Sequence, residues 1–112
     1  MAEVRISESL KNEVFKKFKN DSEKIFAQMK SLEESSKKGK ALGSVDGIII
    51  KELKCGVYRF YFITDGHILK FGTELELASL IIKFVRMSDK KDQQKMIDEI
   101  KNILKSMGFE KI

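Results

Sequence analysis

An α+β fold, with an antiparallel sheet carrying an N-terminal helical hairpin on one face and a C-terminal helix closing an end, is predicted from three observations. Apolar residues in the first third recur every three or four positions between charged ones. In the middle third they alternate or run unbroken between turn signals, and near the C-terminus the helical spacing returns. With 112 residues the chain has room for one core, so residues 1–112 are read as a single domain. Hydrophobic content of 42% beside 35% charged residues is that of a globular protein and excludes a disordered or membrane class. A net charge of +5 fits a polyanionic partner only mildly, because acidic residues lie between most of the lysines. The one cysteine, Cys55, cannot close an internal disulfide and fits a reducing compartment. The N-terminus lacks an apolar signal region and no run approaches a membrane span, so a cytoplasmic location and no membrane partner are expected.

Glu3 to Ser7 reads as a short strand with Val4 and Ile6 on one face. Ser7 or Ser9 can cap the helix that follows, where Leu10, Val14 and Phe18 recur every fourth residue. Asn20-Asp21-Ser22 interrupts and offers a new cap. Ile25, Phe26, Met29 and Leu32 make a second stripe ending near Glu34, and the Ser-Ser-Lys-Lys-Gly-Lys run beyond is a loop. Such a hairpin cannot bury its own apolar face and needs a sheet to lie on.

Ile48 to Lys54 reads as a strand, Cys55-Gly56 as a tight turn, Gly56 to Phe62 as the next strand, and Asp65-Gly66 as a second turn. Ile68, Leu69 and Phe71 continue apolar, whereas Gly72 to Glu76 is polar and reads as an excursion between strands. Leu77 to Arg86 is apolar on both faces, as in a central strand covered from two sides. Ser88-Asp89 opens a last helix, with Met96, Ile97, Ile100, Ile103, Leu104 and Met107 on one face and Gly108 at its C′ position. The expected order is strand, helix, helix, three strands, helix.

The strand Gly56-Val57-Tyr58-Arg59-Phe60-Tyr61-Phe62 breaks its own pattern. Tyr58, Phe60 and Phe62 point one way, into a core. Val57, Arg59, Tyr61 and Ile63 point the other, which places a guanidinium beside a phenol in a sheet, at a cost unless a partner or ligand compensates. This strand, preceded by Glu52-Leu53-Lys54, resembles the "Glu-Leu-Arg, then Gly-x-Tyr-Arg-x-x-Tyr/Phe" strand pair of the RelE/ParE toxin superfamily. Phe84-Val85-Arg86-Met87-Ser88-Asp89-Lys90-Lys91-Asp92-Gln93, with Asp98-Glu99-Ile100, resembles the strand end and last helix of its HigB-like, phage-derived killer branch. The likeness covers roughly residues 40 to 106, and the N-terminal hairpin by order and length only.

The resemblance implies a RelE-like fold and the toxin of a type II toxin-antitoxin system. Such a toxin is an endoribonuclease that cleaves mRNA, usually on the ribosome, and is held inactive by a cognate antitoxin protein. The RNA 2′-hydroxyl attacks the adjacent phosphate with no metal or other cofactor, so the protein's task is to position the sugar and stabilise charge on phosphate oxygens. By residue, Arg59 matches the strand arginine, and Lys54 stands for the arginine of Glu-Leu-Arg without its bidentate fork. Arg86 stands where a cation ends the last strand, and Lys90 and Lys91 match the basic pair beyond it. Tyr61 offers a stacking surface for RNA. The chain lacks the C-terminal histidine or tyrosine that some members use to carry a proton, its only histidine being His67 in a turn. Acid and base are therefore unassigned, and two alternatives stay open: a ParE-like gyrase-binding toxin, and an inactive RelE-fold protein that only binds a partner.

Blander roles compete at each position. Arg59 can pair with Glu52 across the hairpin for ~0.2–1 kcal/mol. Tyr61 can be plain sheet surface, and Lys90 and Lys91 a solvated helix start opposing the dipole. Cys55 has no His or Asp near it in sequence to make it a nucleophile, and Asp89 fits a helix start better than a metal. Gly-rich phosphate loops, Cys/His metal spacings and Ser/His/Asp signatures are all missing from the sequence.

Overall fold

The computed structural model describes residues 2–35, 37–45, 47–86 and 93–106, with the backbone alone at 85, 86 and 93. The expected α+β class holds, but the sheet is mixed and is covered on both sides. Strand β1 (Glu3–Ile6) leads into α1 (Glu8–Phe18) and α2 (Ser22–Lys30), which flank a 3-10 turn at Lys19–Asp21. A second 3-10 turn, Ser31–Glu33, follows, and then β2 (Lys40–Val45), β3 (Ile48–Cys55), β4 (Tyr58–Thr64) and β5 (Ile68–Gly72). Helices α3 (Glu74–Arg86) and α4 (Gln93–Ser106) complete the described chain. The sheet runs β1-β5-β4-β3-β2, antiparallel throughout except that β1 lies parallel to β5. Alternation in residues 3–6 buries Val4 whichever way the strand runs, so direction is invisible in the pattern.

On one face the helical hairpin sits as expected. Leu10 and Val14 of α1, with Ile25 and Met29 of α2, pack on Val4, Leu53, Phe60, Phe62, Leu69 and Phe71. Ser7 caps α1, its Oγ accepting from the Leu10 N–H at 3.1 Å. The Ser22 hydroxyl donates to the Val14 carbonyl at 3.2 Å and ties the two helices.

The other face corrects the sequence expectation. Leu77 to Arg86 is not a central strand but the body of α3, and Gly72 to Glu76 is the end of β5 plus the helix's first turn. Leu77, Leu80 and Phe84, at helical spacing, are buried with Ile100 and Leu104 of α4 against Ile48, Ile50 and Ile63. Ile82, on α3's far side, is exposed, and with the partly buried Ile81 it makes the run look apolar on both faces. The overlooked signal is a capping box. The Glu76 N–H donates to Thr73 Oγ1 (3.0 Å) while the Thr73 N–H donates to Glu76 Oε1 (2.9 Å). The last helix thus does not close an end: α3 and α4 form a second layer, pinned by Lys83 Nζ to Glu99 Oε2 at 2.6 Å.

Strand β2 is one the sequence reading lacks: its first residue, Lys40, ends the run expected as loop, and no element is expected at Ala41 to Val45. It pairs with β3 from Lys40↔Glu52 to Val45↔Ile48, with an irregularity between Ala41 and Gly43. Gly43 is needed there, because a Cβ would lie 2.7 Å from the Phe84 ring, which packs down onto the strand from α3.

Candidate functional site

Gly56, at φ +65°, with Val57 closes the β3–β4 hairpin one residue later than the Cys55-Gly56 turn expected from the sequence, with Cys55 still in β3 and β4 beginning at Tyr58. Register then decides which side chains meet. Lys54 is opposite Arg59 and Glu52 opposite Tyr61, while Lys40 of β2 is opposite Glu52 on its other side. All five lie on the sheet face that α3 and α4 cover further along, but at the end those helices leave open. Ile50↔Ile63 is the last pair on that face to be buried. Tyr61 sits at the boundary, half-buried and packed against the apolar cluster.

Arg59 is therefore at the start of its strand with its side chain 56% exposed, and the cost expected of a guanidinium buried mid-sheet does not arise. Its Nε lies 3.8 Å from Glu52 Oε1, a diagonal pair too open to be worth more than ~1 kcal/mol. Lys54 and Arg59 are like charges placed directly across the hairpin, which is unfavourable in a sheet. Burial, reinforced by the carboxylates of Glu52 and Glu74 and partly offset by Arg59, pushes the Tyr61 phenol above its ordinary value. The phenol is a hydrogen-bond donor. The cluster holds three cations, a carboxylate acceptor and a phenol donor around an open surface.

Two hollows flank it. The first, about 320 Å³, lies between α1 and the free beginning of β4, which extends past β5 because Gly72 pairs no further than Tyr61. Glu13, Lys17, Tyr58, Arg59 and Glu74 stand around it. The second, about 490 Å³, opens toward β2 among Lys38, Lys40, Glu52, Lys54 and Arg59. Arg59 borders both.

Of the sequence-predicted residues, Lys54, Arg59 and Tyr61 come together. Arg86 ends a helix and not a strand, because its segment is amphipathic at helical period, and Lys90 and Lys91 lie outside the described residues. Sequence reasoning missed Lys40, hidden in a run taken as loop, and used Glu52 only as a structural partner. Cys55 is buried, which pushes its thiol up and away from nucleophilic use. Among the described residues no three His, Cys, Asp or Glu side chains are grouped to hold a metal, and no helix is long and apolar enough to cross a membrane. No protein-family model matches the chain, nor does any curated protein or solved structure.

Proposed function

We propose that this chain is the toxin of a type II toxin-antitoxin system, an endoribonuclease that cleaves mRNA on the ribosome through 2′-hydroxyl attack. The observation that carries this is the opposed pair Lys54 and Arg59 at the open end of the β3–β4 hairpin, with Glu52 and Tyr61 one register step inward. Two cations facing each other without a carboxylate of matching strength leave positive charge for a phosphate to neutralise. The strand motif from Glu52 to Phe62 supports the same chemistry by resemblance. In this proposal Arg59 clamps the scissile phosphate and Lys54 shares its charge. Glu52, within reach of Arg59, takes the 2′-hydroxyl proton, and the Tyr61 phenol donates to a phosphate oxygen or the leaving 5′-oxygen. The role expected of Arg86 at a strand end has no strand to rest on and is not carried forward. The cognate antitoxin would oppose carboxylates to this same surface.

The test is mRNA cleavage in a translation reaction by wild-type protein and by Arg59→Ala and Arg59→Lys, with thermal melts of each. Arg59→Ala should keep its melt and lose ~10²–10³-fold in cleavage, as for one transition-state donor. Arg59→Lys should recover little of that loss, lacking the planar fork. A folded Arg59→Ala that cuts at the wild-type rate overturns the assignment. Growth arrest in which DNA synthesis stops before translation favours the gyrase-binding alternative, and no arrest at all favours the inactive one.

A further inference from the structure

We infer that single-stranded RNA crosses the open end of the sheet through both hollows, turning at Arg59, with one base lodged in the α1–β4 hollow against Tyr58. This rests on the endoribonuclease reading and adds to it a path and a new set of contacts. Arg59 borders both hollows, so a strand running from one to the other must pass a phosphate over the guanidinium. The volume of the α1–β4 hollow, about 320 Å³, is that of a small-molecule site, enough for a base and its sugar.

The wall of that hollow suits a base. Tyr58 keeps 40% of its surface exposed, and Phe18 meets its ring edge-on with centroids 4.6 Å apart. The Lys17 ammonium lies 4.6 Å from the Tyr58 ring centre. A tyrosine fixed from the side, with a cation over it, offers an aromatic surface and a nearby charge for the attached phosphate. An exposed cation–π contact is weaker than a base stack, so Lys17 can leave the ring for that phosphate as the base arrives. The second hollow supplies Lys38 and Lys40 along the continuing backbone. Glu13, Glu52 and Glu74 oppose them, but five cations (Lys17, Lys38, Lys40, Lys54 and Arg59) outnumber these three carboxylates. The complement is a thin polyanion with π faces, which describes RNA better than an acidic peptide.

The experiment uses a mixed-sequence 2′-O-methyl oligonucleotide, which cannot be cut, together with mRNA cleavage in a translation reaction. The proteins are the wild type, Tyr58→Leu, Tyr58→Phe and Lys38→Ala/Lys40→Ala. Tyr58→Leu should weaken binding and cleavage about tenfold with Tyr58→Phe near wild type, because stacking needs the ring and not the hydroxyl. Its salt dependence should not change. The double lysine variant should flatten the log affinity against log salt slope by ~0.7 for each lysine lost. If cleavage proceeds only on the ribosome, the same ranking must appear in the cleavage rates. Wild-type behaviour in both the lysine and the Tyr58→Leu variants, with Arg59→Ala still dead, overturns the path and leaves the nuclease reading standing. A wild-type protein that neither binds nor cuts RNA removes both. Displacement by poly-glutamate but not by RNA overturns the path and assigns the surface to a protein partner. Should Tyr58→Leu melt early, the two surface lysines still decide.

Discussion

The two ends of β4 face opposite demands. At its far end Phe62 and Ile63 are both fully buried, one under the helical hairpin and the other under α3 and α4, so the strand is sealed on both faces. At its beginning, three to five residues away, Tyr58 and Arg59 are open, β5 has stopped, and the facing residue across the hairpin repels Arg59. One strand thus carries a stability element and the proposed functional element in sequence. The sealed end holds the open end's register, and a register held elsewhere lets like charges stand opposite each other.

The comparison breaks most severely at the sealed end. Phe62→Ala removes a ring whose centre lies 4.7 Å from that of Phe71, tilted against it and with no exposed surface, and should cost ~3–5 kcal/mol, read as a large drop in denaturant midpoint. A variant losing under about 1 kcal/mol would mean the core collapses to fill the gap. Next comes the layer that closes the second face. Gly43→Ala pushes a methyl into the Phe84 ring and should cost ~1–3 kcal/mol, while Gly43→Ala with Phe84→Leu should recover much of that. Additive losses in the pair would show that the contact is not the cause.

At the open end the sign should reverse. Lys54→Thr relieves the repulsion with Arg59 and should raise stability by ~0.2–1 kcal/mol, less so at high salt, while RNA cleavage falls. Lost stability on this change would mean that Lys54 is held by attractions and not by function. The smallest effect is a pH dependence on the helix layer. Burial raises the Glu76 carboxyl, but hydrogen bonds from Ser7 (2.6 Å) and Thr73 outweigh it and hold the group below its ordinary value of 4.5. A carboxylate held low stabilises the fold at pH above its unfolded value, and that stability is lost as pH falls through the folded one. The melting temperature should therefore drop on acidification below about pH 4.5, and Glu76→Gln should show a shallower acid limb. Identical limbs would remove Glu76 from the balance.

Local chemistry made much of the frame legible. Ser7 and the Leu10, Val14, Phe18 stripe define α1, the break at Asn20 to Ser22 defines the hairpin, and Gly56 and Asp65-Gly66 mark turns where strands reverse. The error at Leu77 to Arg86 has an equally local origin. Ile82 is an exposed apolar residue, and a periodicity judged over the whole run is blurred by one that does not pack. The Thr73 and Glu76 capping box was the stronger evidence. In the candidate site, Arg59 and Tyr61 stood out as departures from alternation, and Lys54 through the strand motif it shares with the toxin family it resembles. Lys40 did not, because an exposed lysine in a polar run carries no mark until β2 pairs with β3.

By itself the sequence determined where α1, α2, the last helix and most strands lie and which face of β4 is core, since these follow from side-chain period, caps and turn residues within a few positions. It also placed Lys54 and Arg59 near each other, because a tight turn leaves little freedom between them. Tertiary structure alone decided that β1 runs parallel to β5, that α3 and α4 stop short of the hairpin end, and that β5 ends beside Tyr61. Those three facts set which part of the sheet stays open, and so where Arg59 meets the hollows around it. They depend on how separate layers fill space against one another, and a pattern read along one chain segment does not contain the volume of its neighbours.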